Sequence, residues 1–176
     1  MAGFIIGFDG EKTGAGQRIV QFVEKTAIPT ALFSMLQALP DTALWKRLEK
    51  EERLIQGNAD INQSSLMNFI PTRSIEEIAK EYIEAFSQLY EPLTFLNRTY
   101  RHFLTLGEAQ RHQSRKESAG SPDINWVNLR ALFIILWRQG VVRETRGRFW
   151  LNLCHLLWKY PNVVTNYLSV CAQGEH

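Results

Sequence analysis

Thiols are scarce in this chain: Cys154 and Cys171 are its two cysteines among 176 residues. That scarcity excludes a disulfide-dense secreted scaffold. Long apolar runs are also missing. The longest, Ala131 to Trp137, falls well short of the roughly 20 residues a helix needs to cross a bilayer. No basic segment precedes the apolar start Met1-Ala2-Gly3-Phe4, so a secretory signal is not expected. No internal repeat and no collagen-like periodicity is present. Apolar residues make up 45% and charged residues 22%, which excludes disorder over the whole length. The length allows one domain, or one domain with a small appendage. The expectation is a reduced, cytoplasmic protein.

The net charge of +2 conceals an asymmetry. Residues 1–97 carry 9 Lys+Arg against 13 Asp+Glu, a balance of −4, and residues 98–176 carry 11 against 5, a balance of +6. The change of sign falls near Glu108 to Asp123 (EAQRHQSRKESAGSPD), a polar stretch with Ser, Gly and Pro that reads as a mobile linker.

Gly3 to Phe8 (GFIIGF), ended by Asp9-Gly10, reads as a strand buried on both faces, as in a parallel sheet. Thr13 to Thr26 carries Ile19, Val20, Phe22 and Val23 at helical spacing. Thr30 to Leu36 (TALFSML) reads as a second buried strand. Asp41 or Thr42 is placed to cap a helix running to about Ile55, with Leu44, Trp45, Leu48 and Leu54 on one side. This β-α-β-α order is the grammar of a parallel α/β sheet with right-handed crossovers. Gly57 to Asn62 reads as a loop, and Ser65 to Ile70 as a short strand or extended segment. Ser74-Ile75-Glu76-Glu77 has capping-box spacing, predicting a helix to about Tyr90. Pro92 opens another, expected to end near Gly107. Asn125 to Gly140, Thr145 to Tyr160 and Pro161 to about Gln173 complete a mostly helical second half.

Two parallel strands do not make a sheet that stands alone, because parallel sheets need several strands with helices on both faces. Residues 3–55 are therefore expected to be the end of a larger barrel or sheet, and the chain the C-terminal portion of a larger enzyme or a relic of one.

The stretch Gly3-Phe4-Ile5-Ile6-Gly7-Phe8-Asp9-Gly10-Glu11 resembles the G-x-I-x-G-x-x-x-E motif on the fifth strand of the radical S-adenosylmethionine barrel. Ala31 to Thr42 (ALFSMLQALPDT) resembles the sixth strand and its Leu-Pro-Gly-Thr exit, with Asp41 in place of the glycine. Ala59 to Arg73 (ADINQSSLMNFIPTR) and Arg98 to Gly107 (RTYRHFLTLG) are similar to the C-terminal domain of unknown function, DUF4070-like, that follows the barrel in cobalamin (B12)-binding members. The resemblance covers nearly the whole chain.

It implies an α/β to mostly α fold. Residues 1–56 would be the terminal βαβα segment of a TIM-like barrel, 57–107 an extended segment and two helices, 108–122 the linker, and 123–176 a three-helix region. It implies that Gly3, Ile5, Gly7 and Glu11 bind the adenosyl part of S-adenosylmethionine. Glycine lets backbone approach a flat ligand, an apolar side chain covers an adenine face, and ligands sit at the C-terminal ends of barrel strands. The bland alternative is that the glycines only permit tight packing. The family's [4Fe-4S] cluster is held by a C-x3-C-x2-C motif, and clusters need thiolates. That motif is absent here, as is the cobalamin-binding histidine motif. The chain alone therefore has no expected catalytic residue, metal site or resident cofactor. In the intact enzyme, methyl transfer or a radical rearrangement is implied, with the remaining barrel and cobalamin domain as partners in the same or a separate chain.

Other constellations in the chain have plainer readings. His102, His112, His155, His176 and the two cysteines lack the short local spacings of a zinc site, although Cys154 and Cys171 are placed to face each other across the last two helices. Buried apolar thiols are the plainer reading. Ser34, Ser64 and Ser65 have no nucleophile elbow. Gly10 to Gly16 (GEKTGAG) has the wrong order for a phosphate loop and reads as a strand-to-helix turn, with Glu11 repelling phosphate. The basic half sets Arg138, Arg143, Arg146, Arg148 and Lys159 among Trp126, Trp137, Trp150 and Trp158. Phe133, Trp137, Phe149, Leu153, Leu156 and Leu157 read first as core, with arginines snorkelling at the rim. The alternative function, from another class, is a non-catalytic helical module that docks to a protein partner or to an anionic membrane surface. No nucleic-acid partner is expected.

Overall fold

A computed structural model describes residues 1–55, 67–113 and 136–173. The described residues are mostly helical, with one two-stranded parallel sheet. They form two compact units, the first within residues 1–26 and 30–89 and the second within 27–29 and 90–176.

The first unit holds β1 (Ala2–Ile6), α1 (Ala15–Thr26), β2 (Ala31–Met35), α2 (Ala43–Lys50) and α3 (Ile75–Leu89). β1 and β2 run parallel in register from Ala2 opposite Ala31 to Ile6 opposite Met35, with α1 as the crossover. Strand alternation divides their side chains between two faces. One face, with Ile6, Ala31 and Phe33, is buried. It meets α1 and α3, which bury Val20, Val23, Ile78, Ala85 and Leu89. Tyr82 stacks on Phe33 at 5.2 Å between ring centroids. A Cβ on Gly16 would lie 2.6 Å from the Glu81 carbonyl oxygen, so glycine there lets α1 and α3 close on one another.

The other face is open. Ile5 is 47% and Leu32 45% exposed, and Gly3 is exposed beside them. The expectation of a strand buried on both faces is thus corrected, because the packed helices of this unit cover a single side.

Helix α2 begins as expected: the Thr42 hydroxyl accepts from the Trp45 N–H at 3.2 Å. It stops at Lys50 rather than Ile55. Glu52 takes a left-handed φ of +54°, and Leu54 leaves to bridge antiparallel to Phe69. That bridge falls in the described part of the extended segment expected over Ser65 to Ile70; Ser65, Leu66 and the loop Gly57 to Asn62 lie outside the described residues. Ser74 caps α3, its hydroxyl accepting from the Glu77 N–H at 3.5 Å.

The second unit holds α4 (Pro92–Gln113), a π-helical turn (Arg138–Val142), α5 (Arg146–Lys159), a 3-10 turn (Pro161–Val163) and α6 (Val164–Gln173). Glu91 caps α4 by accepting from the Thr94 N–H at 2.6 Å. Gly107 does not end this helix. A Cβ there would lie 2.5 Å from the Tyr160 ring, so the glycine serves close approach, and the helix runs through Glu108–Gln113, where the linker was expected to begin. Residues 114–135 lie outside the description, among them the remainder of that linker and most of the helix expected from Asn125. The core packs Phe103 edge-on to Tyr167, and Phe149 stacked on Tyr167, with Leu153, Leu156, Val163 and Leu168 around them. Trp137 and Leu157, expected in this core, are exposed. No described helix is long and apolar enough to cross a membrane.

Candidate functional site

The sequence-predicted residues fall into two places. Gly3 and Ile5 stand on the open face of β1, opposite Leu32 and Ser34 of β2. Together with their neighbours they line a shallow groove of about 280 Å³. A Cβ on Gly3 would meet nothing within 4 Å, so the backbone surface is bare at that point.

Gly7 and Glu11 sit beyond the C-terminal end of β1, in the loop to α1. Gly7 takes a left-handed φ of +93°, and its N–H donates to Glu11 Oε2 at 2.9 Å. The loop is thus closed on itself by Glu11.

A clasp formed by Met67 to Arg73 lies over the strand ends. A Cβ on Gly7 would come 2.9 Å from Met67 Cε. The Asn68 amide is buried and bonds both ways to Ala38: Nδ2 donates to the carbonyl and Oδ1 accepts from the N–H, each at 2.8 Å. This pins the loop after β2. The Ile70 carbonyl accepts from Arg53 Nε at 2.7 Å. Arg53 in turn grips Asp9 through two bonds of 2.8 and 3.0 Å, and Arg47 adds a third at 2.6 Å. Hydrogen bonding to Arg53, with the charges of Arg53 and Arg47, holds the Asp9 carboxyl below its ordinary range against the opposing effect of burial.

Arg73 completes the clasp. Its Nη2 donates to Glu81 Oε1 at 2.6 Å, and its Nη1 lies 3.8 Å from Glu11 Oε2. Glu81 also accepts from the N–H groups of Gly14 at 2.8 Å and Gly16 at 3.5 Å. Burial pushes the Glu81 carboxyl upward, but the bonds from Arg73, Gly14 and Gly16 outweigh it and hold the group low. The N-terminus of α1, the place where a phosphate loop would bind its anion, is therefore filled by the protein's own carboxylate.

The carboxylates of this site are each engaged by arginines or backbone amides. The arrangement fixes loop shape and offers no free base. Among the described residues no three of His, Cys, Asp and Glu come together as a metal-ligand set. Cys154 is exposed and Cys171 buried, and both are free; the reading of both as buried apolar thiols is corrected for Cys154. Burial pushes the Cys171 thiol up to about 12.

A family model described as a domain of unknown function, DUF4070, matches residues 42–176. The chain belongs to the DUF4070 family. The match begins at Thr42, the cap of α2, and takes in the whole clasp. An uncharacterized methyltransferase of Synechocystis sp. is 55% identical over 177 residues, covering 100% of this chain and 32% of that protein. The hopanoid C-2 methylase of Rhodopseudomonas palustris is 29% identical over 151 residues, covering 85% of this chain and 27% of that protein. This DUF4070 chain thus spans about a third or less of the curated relatives it matches. No solved structure matches it.

The sequence contains the stretch Met67 to Arg73 in a family-like segment but does not reveal its contacts, nor the roles of Arg53 and Glu81. The available signal is Arg73 at the end of an Asn-Phe-Ile-Pro-Thr run, in which Asn68 and Thr72 carry side chains able to bond backbone.

Proposed function

We propose that the chain is the C-terminal part of a B12-binding radical S-adenosylmethionine methylase. On this reading, residues 1–56 supply the last βαβα of the barrel, and the clasp with the following helices closes it. The single observation that carries the reading is the parallel β1–β2 pair with one face packed on helices and the other bare, in a chain 55% identical to part of a methyltransferase. A barrel strand has that asymmetry by construction, with helices outside and an interior face turned to the ligand end.

The bare glycine surface at Gly3, with Ile5 and Leu32 exposed beside it, fits a flat, largely apolar ligand such as an adenosyl group. Gly3 would admit the ring against backbone, and Ile5 would cover its face. Gly7, Glu11 and the clasp would hold the rim of that pocket in place. S-adenosylmethionine, when bound, supplies the methyl or radical chemistry. One exposed and one buried cysteine do not fit a [4Fe-4S] cluster, which would be held by the rest of the enzyme, as would cobalamin. A reduced, cytoplasmic setting accompanies this reading.

The test is anaerobic reconstitution of the full-length protein with iron, sulfide and cobalamin. The expected result is reductive turnover of S-adenosylmethionine and a C-x3-C-x2-C motif upstream of the position of Met1 here. A full-length protein without that motif and without turnover contradicts the proposal.

A further inference from the structure

Helix α5 carries two apolar faces. One, with Phe149, Leu153 and Leu156, is buried in the core of its unit. The other runs through Trp150, Leu151, Cys154, Leu157 and Trp158, all exposed. Their spacing of i, i+1, i+4, i+7 and i+8 sets them along one stripe on the opposite side of the helix. Leu151 is 67% and Trp158 84% exposed, the reverse of what large apolar side chains normally adopt. Val141 and Val142 extend the apolar surface at the π-turn, where Trp150 donates from Nε1 to the Gly140 carbonyl at 2.9 Å.

The charge along this segment is predominantly positive. Residues 136–173 contain Arg138, Arg143, Arg146, Arg148 and Lys159 against Glu144 alone, five cations to one anion, a balance of +4. At the C-terminal end of the stripe, Trp158 also lines a recess of about 790 Å³ with Arg111, Lys159 and Asn162. Lys159 lies over the Tyr160 ring and 4.0 Å from Glu108.

We propose that α5 docks on an anionic lipid bilayer. Leu151, Leu157 and the indoles of Trp150 and Trp158 would enter the headgroup–acyl boundary, and the recess at Arg111 and Lys159 would receive headgroup phosphate. Exposed tryptophans beside a cationic rim match an interfacial helix, since indole favours that boundary and each surface cation gains from anionic lipid. A second copy of the same face is disfavoured by the meeting of two cationic rims, and the apolar stripe alone would not require the cations.

The experiment is co-sedimentation of the full chain with vesicles of phosphatidylglycerol and phosphatidylcholine, and with phosphatidylcholine alone, at low and high salt. The expected result is binding to the anionic vesicles that salt weakens. Trp158→Ser with Leu151→Ser, and separately Arg146→Glu with Arg111→Glu, should each reduce partitioning by about tenfold or more. Tryptophan fluorescence of the unaltered chain should be quenched by bromine-labelled lipid, a readout that needs no variant. Absence of binding and quenching overturns the proposal, as does binding that neither variant reduces. Variants that abolish self-association and leave vesicle binding intact also overturn it, assigning the face to a second copy.

Discussion

Glu81, on the third helix, accepts at Oε1 a hydrogen bond of 2.8 Å from the Gly14 N–H, just ahead of the first helix and 67 residues earlier, and the same oxygen accepts from Arg73 Nη2 at 2.6 Å. Removing a partner from a mostly buried ion pair leaves the remaining charge and amides unsatisfied. Glu81→Ala should lower unfolding free energy by about 3 kcal/mol. The dependence on pH has a definite sign. A carboxyl held below its ordinary 4.5 in the folded state stabilises fully above that value, and the gain is lost as pH falls through the folded value. Urea midpoints measured from neutral to acid pH should fall more steeply for the unaltered chain than for Glu81→Gln. Parallel curves would show that the carboxylate does not contribute.

Gly7 couples two demands. Its φ of +93° disfavours any side chain, and a Cβ would press on Met67. Gly7→Ala should cost about 1–2 kcal/mol from backbone alone, with a further steric cost from Met67. In the Met67→Ala background the steric part should vanish and the backbone part remain. Denaturation of the four members of this cycle gives the coupling directly, and a coupling of zero would remove Met67 from the clasp.

The Asn68 amide bonds both Ala38 backbone groups, with Nδ2 as donor and Oδ1 as acceptor. Asn68→Asp keeps the acceptor and loses the donor, setting an ionised carboxylate against the Ala38 carbonyl. This variant should be less stable at neutral pH than at mildly acid pH, by about 2 kcal/mol. Thermal melts at the two pH values check it, and a variant equally stable at both would contradict the bond assignment.

The cysteines should separate cleanly by reactivity. Cys154 is exposed and Cys171 is buried with its thiol raised to about 12. Thiol titration of the folded chain should modify Cys154 alone, and Cys171 only after unfolding. Two equivalents reacting at equal rates in the folded chain would refute the buried placement.

The local parts of this structure were legible because their signals are local. Thr42 and Ser74 announce their caps, and Val20, Val23 and Ile78 keep helical periodicity into the core. The failures arise where a distant residue decides. Gly107 reads as a stop but is a seat for Tyr160, a contact 53 positions away that no periodicity reports. Leu157 reads as core because its helix repeats apolar residues on two sides, and composition does not reveal which side is packed. At the candidate site, Gly3, Ile5, Gly7 and Glu11 are named by the resemblance of their stretch to a family motif. The roles of Met67, Asn68, Arg73 and Glu81 are not legible in the sequence, because a clasp between separated segments leaves no periodic trace.

The most direct measurement of the barrel account uses Gly3. A side chain there meets nothing within 4 Å, and valine suits an extended strand, so Gly3→Val should leave folding intact. In the full-length protein, titrated anaerobically with S-adenosylmethionine, this variant should bind about tenfold or more weakly, since the ring loses its contact with bare backbone. Unchanged melting with unchanged binding would contradict the account and leave the open face of β1 without the ligand assigned to it.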